Sequence, residues 1–230
     1  MMPWSRIAHR AVNLGPVKTF LTRQRIISRA YFEYLYLRDD PYRTRRQEKL
    51  ERTERAFALL GGFHGRSALE VGCGQGEMTP LVAAVADQVL SVDISAGAIR
   101  RARTRHRGNP RLRFRTGDIL DAAFPWGSYD FIFCSEVLYY MHLSDLDGVT
   151  SRLTASLRPG GALLLLHARS LKDDTVGLEL KEFGARTAHQ PFLRDPALRL
   201  EWDVLEGMHR ITLLSRPVAG EGAAPVARVQ

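Results

Sequence analysis

From residue 66 onward the chain alternates short apolar runs with longer amphipathic stretches, and this pattern predicts repeated strand-helix-strand units in an α/β domain. The first run, Ala68-Leu69-Glu70-Val71, breaks into three alternating glycines, Gly72, Gly74 and Gly76. A second, Val89-Leu90-Ser91-Val92, ends in Asp93 and leads into a helical stretch. Further runs follow at Phe131-Ile132-Phe133 and from Ala162 to Leu166. After these, Leu198 to Leu205 and Met208 to Ser215 alternate apolar with polar positions around Glu206-Gly207, which predicts two more strands. Upstream, Arg45 to Leu60 reads as a helix closed by Gly61-Gly62. Before it, Val17, Phe20, Leu21, Gln24, Ile27, Tyr31, Tyr34 and Leu35 recur at helical spacing and predict a basic amphipathic helix. The resulting division is a helical extension over residues 1–38, an α/β domain over 39–216 and a disordered Pro/Gly/Ala tail over 217–230.

The glycine loop is where chemistry enters. A dinucleotide fingerprint reads G-x-G-x-x-G, so that a helix N-terminus faces a pyrophosphate. Here the spacing is G-x-G-x-G, and Glu77 stands where the third dinucleotide glycine belongs. A carboxylate there repels a pyrophosphate and suits a ligand carrying a sulfonium and an ammonium. Asp93, at the end of the next strand, is placed to accept hydrogen bonds from ribose hydroxyls, although it or Ser95 also suits the N-cap of the following helix.

The stretch Glu70-Val71-Gly72-Cys73-Gly74-Gln75-Gly76 resembles the first motif of class I S-adenosylmethionine-dependent methyltransferases, and four later motifs resemble that family in the same order. They are Ser91-Val92-Asp93-Ile94-Ser95, Arg113 to Leu120, Tyr129 to Tyr140, and Leu157-Arg158-Pro159-Gly160-Gly161. The resemblance implies a Rossmann-like, doubly wound seven-stranded sheet whose seventh strand is antiparallel. It implies S-adenosylmethionine as cofactor, held by Glu70, Gly72, Cys73, Gly74, Gly76, Asp93, Ile94, Asp118, Ile119 and Ser135. Asp93 would take the ribose, Asp118 the adenine amine and Ile119 the ring face.

The run Ser135 to Tyr140, the Asp40-Pro41-Tyr42 turn before an arginine-rich helix, and His167 after the fifth strand together resemble the nodulation protein S family. Those enzymes N-methylate an amino-sugar oligosaccharide, so the acceptor expected here is the nitrogen or oxygen of a small molecule, an amino sugar or a secondary-metabolite intermediate. Such an acceptor must lose a proton, and Glu136, His167 and His189 are the candidate catalytic residues. His142 is a weaker candidate that also suits a helix cap. Tyr139 and Tyr140 are adjacent, so only one faces the site.

Charge changes this picture little. Of the formal net charge of +8, the first 32 residues supply six through Arg6, Arg10, Lys18, Arg23, Arg25 and Arg29, with no acid among them, leaving the catalytic domain almost balanced. The basic helix covers a domain face in the plainest reading; a substrate lid and weak contact with an anionic membrane surface are the alternatives. An RNA methyltransferase using this helix is the rival function. Against it, the strand-four tetrad of exocyclic-amine methyltransferases is replaced by Ser135-Glu136-Val137-Leu138, and the Pro-Cys pair of cytosine C5 enzymes by Phe133-Cys134. A noncatalytic scaffold is a third reading, which the complete set of acidic and glycine positions disfavours. Cys73 and Cys134 sit outside any CxxC or His/Cys cluster, so no metal site is expected. With no long apolar segment, a reducing cytoplasm is the expected compartment.

Overall fold

The computed structural model describes residues 25–37, 47–169 and 183–218. Helix α1 (Arg25–Leu35) and helix α2 (Gln47–Ala58) precede strand β1 (Gly65–Val71). There follow α3 (Thr79–Ala84), β2 (Ala86–Asp93), α4 (Ala96–Arg105), β3 (Leu112–Thr116) and β4 (Tyr129–Ser135). A single 3₁₀ turn (Leu138–Tyr140) leads to α5 (Leu143–Ser156), β5 (Leu157–Ala168), α6 (Ala185–Arg194), β6 (Arg199–Glu206) and β7 (His209–Ser215). The strands form one seven-stranded sheet in the order β3-β2-β1-β4-β5-β7-β6. β7 runs antiparallel to both β5 and β6, and the pairs from β3 to β5 are parallel. This is the doubly wound sheet expected from the sequence.

Both faces of the sheet are covered, because successive side chains of each strand point to opposite sides. In β4, Phe131 and Phe133 meet Phe57 of α2 edge-on at 5.7 and 5.0 Å between ring centroids. Ile132 and Cys134 instead join Leu146, Val149 and Leu153 of α5 and Phe192 of α6 in the core of the other face. Leu164 and Leu166 of β5 lie on the α2 side with Ala68, Val89, Ile211 and Leu213, and Leu163 and Leu165 lie on the α5 side. Each such fully buried side chain contributes about 1.5–3 kcal/mol over an exposed one.

One sequence expectation is modified and another is described only in part. The Arg158-Pro159-Gly160-Gly161 stretch, expected as a turn into the fifth strand, is part of β5, and the β4–β5 register shifts between Tyr129 and Phe131 to accommodate it. Glycine suits this irregular stretch, because a Cβ on Gly161 would stand 2.8 Å from the Asp130 carbonyl oxygen. The N-terminal helix is present over Arg25–Leu35, but its expected first part, Val17 to Gln24, lies outside the described residues. The residues on both sides of the expected boundary at 38/39, most of the 217–230 tail and the Asp40-Pro41-Tyr42 turn lie outside them as well.

Parallel pairing decides where the site is. Val71 pairs with both Val92 and Cys134, Asp93 with Thr116, and Ser135 with Leu166, so the carboxyl ends of five strands reach one edge together. Connections diverge to either side of β1 and β4, and in open α/β sheets the crevice at that point takes the ligand.

Candidate functional site

The loop after β1 forms the floor of the crevice. Gly72, Gly74 and Gly76 have φ of 75°, 55° and 77°, the left-handed region that costs a side chain roughly 1–2 kcal/mol. Gly72 is confined further, because a Cβ there would lie 2.0 Å from Cγ2 of Val137. The Gly72 and Cys73 amides both donate to the Val92 carbonyl, at 2.8 and 3.1 Å, which ties the loop to β2.

Two buried carboxylates brace this floor. Glu70 Oε2 accepts from the hydroxyls of Thr79 and Ser91, each at 2.6 Å. Burial pushes its carboxyl up to about 7 against those two bonds. Asp93 Oδ2 accepts the Gly74 amide and Oδ1 the Ser95 amide, both at 2.9 Å. Its carboxyl is likewise pushed up by burial, to about 6. The helix-capping alternative is settled in favour of Ser95, whose hydroxyl accepts from the Ala98 amide at 3.1 Å. Asp93 is thus held as an acceptor at the rim of the loop.

Ile94 is half-buried beside Asp93, and Ile119 is buried in the core cluster with Val71 and Val92. Asp118 Oδ1 accepts the Leu120 amide at 2.9 Å. Ser135 ends β4, half-buried. The Cys73 and Cys134 thiols are both buried, free and pushed up by that burial. All the residues expected at the cofactor therefore meet at the carboxyl ends of β1 to β4 or in the loops that follow.

Helix α1 closes one side of the floor through Glu33 and, just past its end, Tyr36, residues the sequence did not single out. Glu33 accepts from the Ser95 hydroxyl at 3.1 Å and from the Ala96 and Gly97 amides, complementing the positive N-terminus of α4. Tyr36 is buried over the loop, its hydroxyl 2.8 Å from where a Gly74 Cβ would stand. The phenol is raised by burial and by the nearby Asp93. Arg101 donates to the Tyr36 carbonyl, and Phe32 meets Tyr140 edge-on at 5.1 Å. Tyr36 lies one residue past the helix, outside the periodic stripe; Tyr34, which the stripe included, is exposed.

The opposite wall carries Glu136, whose φ of 58° makes it the one described residue other than glycine in the left-handed region. Such strain persists where surroundings impose it, as at ligand sites. Its amide donates to the Leu166 carbonyl at 3.0 Å and its Oε2 accepts from the Tyr139 hydroxyl. Oε1 is buried without a hydrogen-bond partner, with His209 Nε2 3.9 Å away. Tyr139 is fully buried and Tyr140 half-buried.

The two candidate histidines are placed differently from the glutamate. His167 and His189 are both 0% exposed, side by side behind the crevice wall. His167 Nε2 accepts the Leu138 amide at 3.2 Å, and its Nδ1 lies 2.9 Å from His189 Nε2. His189 Nδ1 lies 2.7 Å from the Thr212 hydroxyl. Every ring nitrogen of the pair is thus engaged within the protein. His142 occupies the N-cap of α5 without a side-chain capping bond. Among the described residues no group of three or more His, Cys, Asp or Glu is arranged to hold a metal ion, and no helix is long and apolar enough to cross a membrane.

Residues 68–161 match the family model of a methyltransferase domain. An uncharacterized methyltransferase of Mycobacterium tuberculosis is 35% identical over 98 residues, covering 43% of this chain and 48% of the relative. The 27-O-demethylrifamycin SV methyltransferase of Amycolatopsis mediterranei is 30% identical over 131 residues, 55% of this chain and 47% of that one. The chain therefore spans about half the length or less of the curated relatives it matches first. Among solved structures, the N-methyltransferase NodS of Bradyrhizobium japonicum in complex with S-adenosylhomocysteine superposes with a TM-score of 0.72 at 24% identity, covering 83% of this chain and 99% of that one. At that identity the likeness is one of fold. Residues 68–161 thus match a methyltransferase domain, and the sheet order and glycine loop are similar to those of class I S-adenosylmethionine-dependent methyltransferases, with a fold resembling that of NodS.

Proposed function

We propose that this protein transfers the methyl group of S-adenosylmethionine to the nitrogen or oxygen of a small molecule, an amino sugar or a secondary-metabolite intermediate. The residues present fit the cofactor. A side chain at Gly72 or Gly74 would fill the loop, since each Cβ would lie within 3 Å of a neighbour, and glycine keeps that space free. Asp93 already accepts one amide on each oxygen, and each oxygen keeps acceptor capacity for a ribose hydroxyl. The cofactor supplies a methyl group on a sulfonium, and an acidic rather than basic lining of the loop, with Asp93 at its rim, suits its positive charge. Gly72, Gly74, Gly76, Cys73, Ile94, Asp118, Ile119 and Ser135 complete the binding edge.

The observation that carries the reading is the Asp93 carboxylate held by the Gly74 and Ser95 amides beside a glycine loop that only glycine can form. Protein-side catalysis then consists of alignment, worth at most about 7–11 kcal/mol, and removal of the acceptor proton. Glu136 is the group we assign to that proton or to an acceptor ammonium, because its Oε1 is buried with no hydrogen-bond partner. One relative is named for methylating 27-O-demethylrifamycin SV, and the fold neighbour NodS is named an N-methyltransferase, which supports this substrate class. Several arginines that raise the charge are committed to carbonyl oxygens: Arg101 to Tyr36, Arg103 to Phe114 and Arg111 to Ala83 and Ala86. That use favours a small-molecule acceptor over RNA. Two free buried thiols suit a reducing cytoplasm.

Calorimetric titration with S-adenosylmethionine tests the proposal. Micromolar binding by the wild type, lost in Asp93→Ala, is the expected result; a folded wild type that does not bind the cofactor overturns it. A screen of amino sugars and phenols with labelled methyl donor then identifies the acceptor. Against that acceptor Glu136→Gln is expected to lose about 10² to 10⁴ in turnover while still binding the cofactor.

A further inference from the structure

A continuous line of polar groups, half-buried at its start and fully buried beyond, runs from the outer strands of the sheet to the turn that bears Glu136. Arg210 forms an ion pair with Asp203, with Nε to Oδ1 at 2.7 Å and an Nη2 contact to Oδ2 at 2.5 Å. Thr212 Oγ1 lies 2.9 Å from Asp203 Oδ1 and 2.7 Å from His189 Nδ1. His189 Nε2 is 2.9 Å from His167 Nδ1, and His167 Nε2 is 3.2 Å from the Leu138 amide nitrogen. Thr212, His189 and His167 are all 0% exposed.

The chemistry of the two ends leaves one direction for the whole line. A backbone N–H only donates, so His167 Nε2 is the acceptor and, in the neutral ring, Nδ1 carries the hydrogen. That hydrogen points to His189 Nε2, which must accept, so His189 also carries its hydrogen on Nδ1. His189 donates to the Thr212 hydroxyl, and Thr212 has a single hydrogen to pass on. Asp203, held ionised by Arg210, accepts it. Every link is satisfied only if both rings are neutral and both are the Nδ1–H tautomer, the less common form of imidazole in water. The low protonation range of His189, about 3 through burial and Arg210, agrees with a neutral ring.

We infer that Thr212 and Asp203 are positioning residues, which through His189 and His167 fix a one-way hydrogen-bond chain that holds the Leu138 amide and hence the strained turn presenting Glu136. The turn needs such a hold. Glu136 lies in the left-handed region, Val137 fills the space above Gly72, and Leu138 and Tyr139 are fully buried. The inference rests on the proposed function only in giving Glu136 the acceptor; the tautomers do not depend on it.

Nitrogen-15 NMR of histidine-labelled protein reads the tautomers directly. His167 and His189, identified by His167→Asn and His189→Asn, are expected as neutral Nδ1–H forms at neutral pH. An Nε2–H form or an imidazolium at either ring overturns the inference, whatever the activity. Thr212→Val removes the terminal acceptor, and the His189 signals are expected to shift toward Nε2–H or a mixture. Thr212→Ser keeps the hydroxyl and is expected to restore the wild-type pattern. With an acceptor in hand, Thr212→Val is expected to lower kcat about 10- to 100-fold with cofactor affinity unchanged, the scale of a small misplacement of a reacting group. Wild-type kcat in a folded Thr212→Val protein overturns the positioning role. Loss of cofactor binding in the wild type would instead remove the proposed function and leave the tautomer result standing.

Discussion

Replacing Glu70 by glutamine should flatten the pH dependence of stability, and the size of the effect follows from the burial of one carboxyl. Glu70 is 2% exposed beneath the glycine loop, and its proton is held up to about 7 against an ordinary value of 4.5. The folded protein therefore binds that proton more tightly than the unfolded chain does. Raising the pH strips it from the unfolded chain first, so stability from this group is greatest below the unfolded value and is lost as the pH climbs through about 7. At about 1.4 kcal/mol per pH unit, the ionised form costs on the order of 3 kcal/mol in the fold. For a domain of this size that is a fall in Tm of roughly 6–12 °C between about pH 5 and about pH 8. Asp93, raised from 3.8 to about 6 by burial, adds a loss of the same sign at lower pH. Glutamine keeps an oxygen that can accept from Thr79 and Ser91 but does not titrate. In thermal unfolding across this range without cofactor, the Gln variant should gain on the wild type as the pH rises. Two melting curves that stay parallel, or a wild type that gains with pH, would refute the argument from burial.

The glycine loop and the α1 contact each give a further expectation. Gly72→Ala combines a φ of 75° with a Cβ 2.0 Å from a β-branched side chain, so it should lose about 2–5 kcal/mol in urea unfolding. Gly61→Ala, at φ 57° with nothing within 4 Å, should lose only about 1–2 kcal/mol, and equal losses would show that the Val137 contact contributes nothing. Glu33→Ala removes the acceptor for the Ala96 and Gly97 amides and should cost about 1 kcal/mol, with faster hydrogen exchange at those two amides. Unchanged exchange there would mean that Ser95 alone closes the helix.

The fold and the floor of the site were legible in the sequence because both depend on local rules. Apolar runs mark strands, and a loop that reverses within a few residues needs glycine at positions such as Gly72, Gly74 and Gly76. A carboxylate that ends a parallel strand, as Asp93 does, arrives at the ligand edge whatever the rest of the chain does. Histidine chemistry was legible only as residue type. Whether His167 and His189 meet an acceptor or each other depends on β7 inserting between β5 and β6, which brings Thr212 to the His189 ring from 23 residues away in the chain. Glu33 and Tyr36 are likewise brought to the start and side of α4 across more than sixty residues, with no periodic signal of their own. Strand identity is written in a few neighbouring side chains, whereas strand order and the direction of a buried hydrogen-bond chain are decided by which groups the packed layers bring face to face.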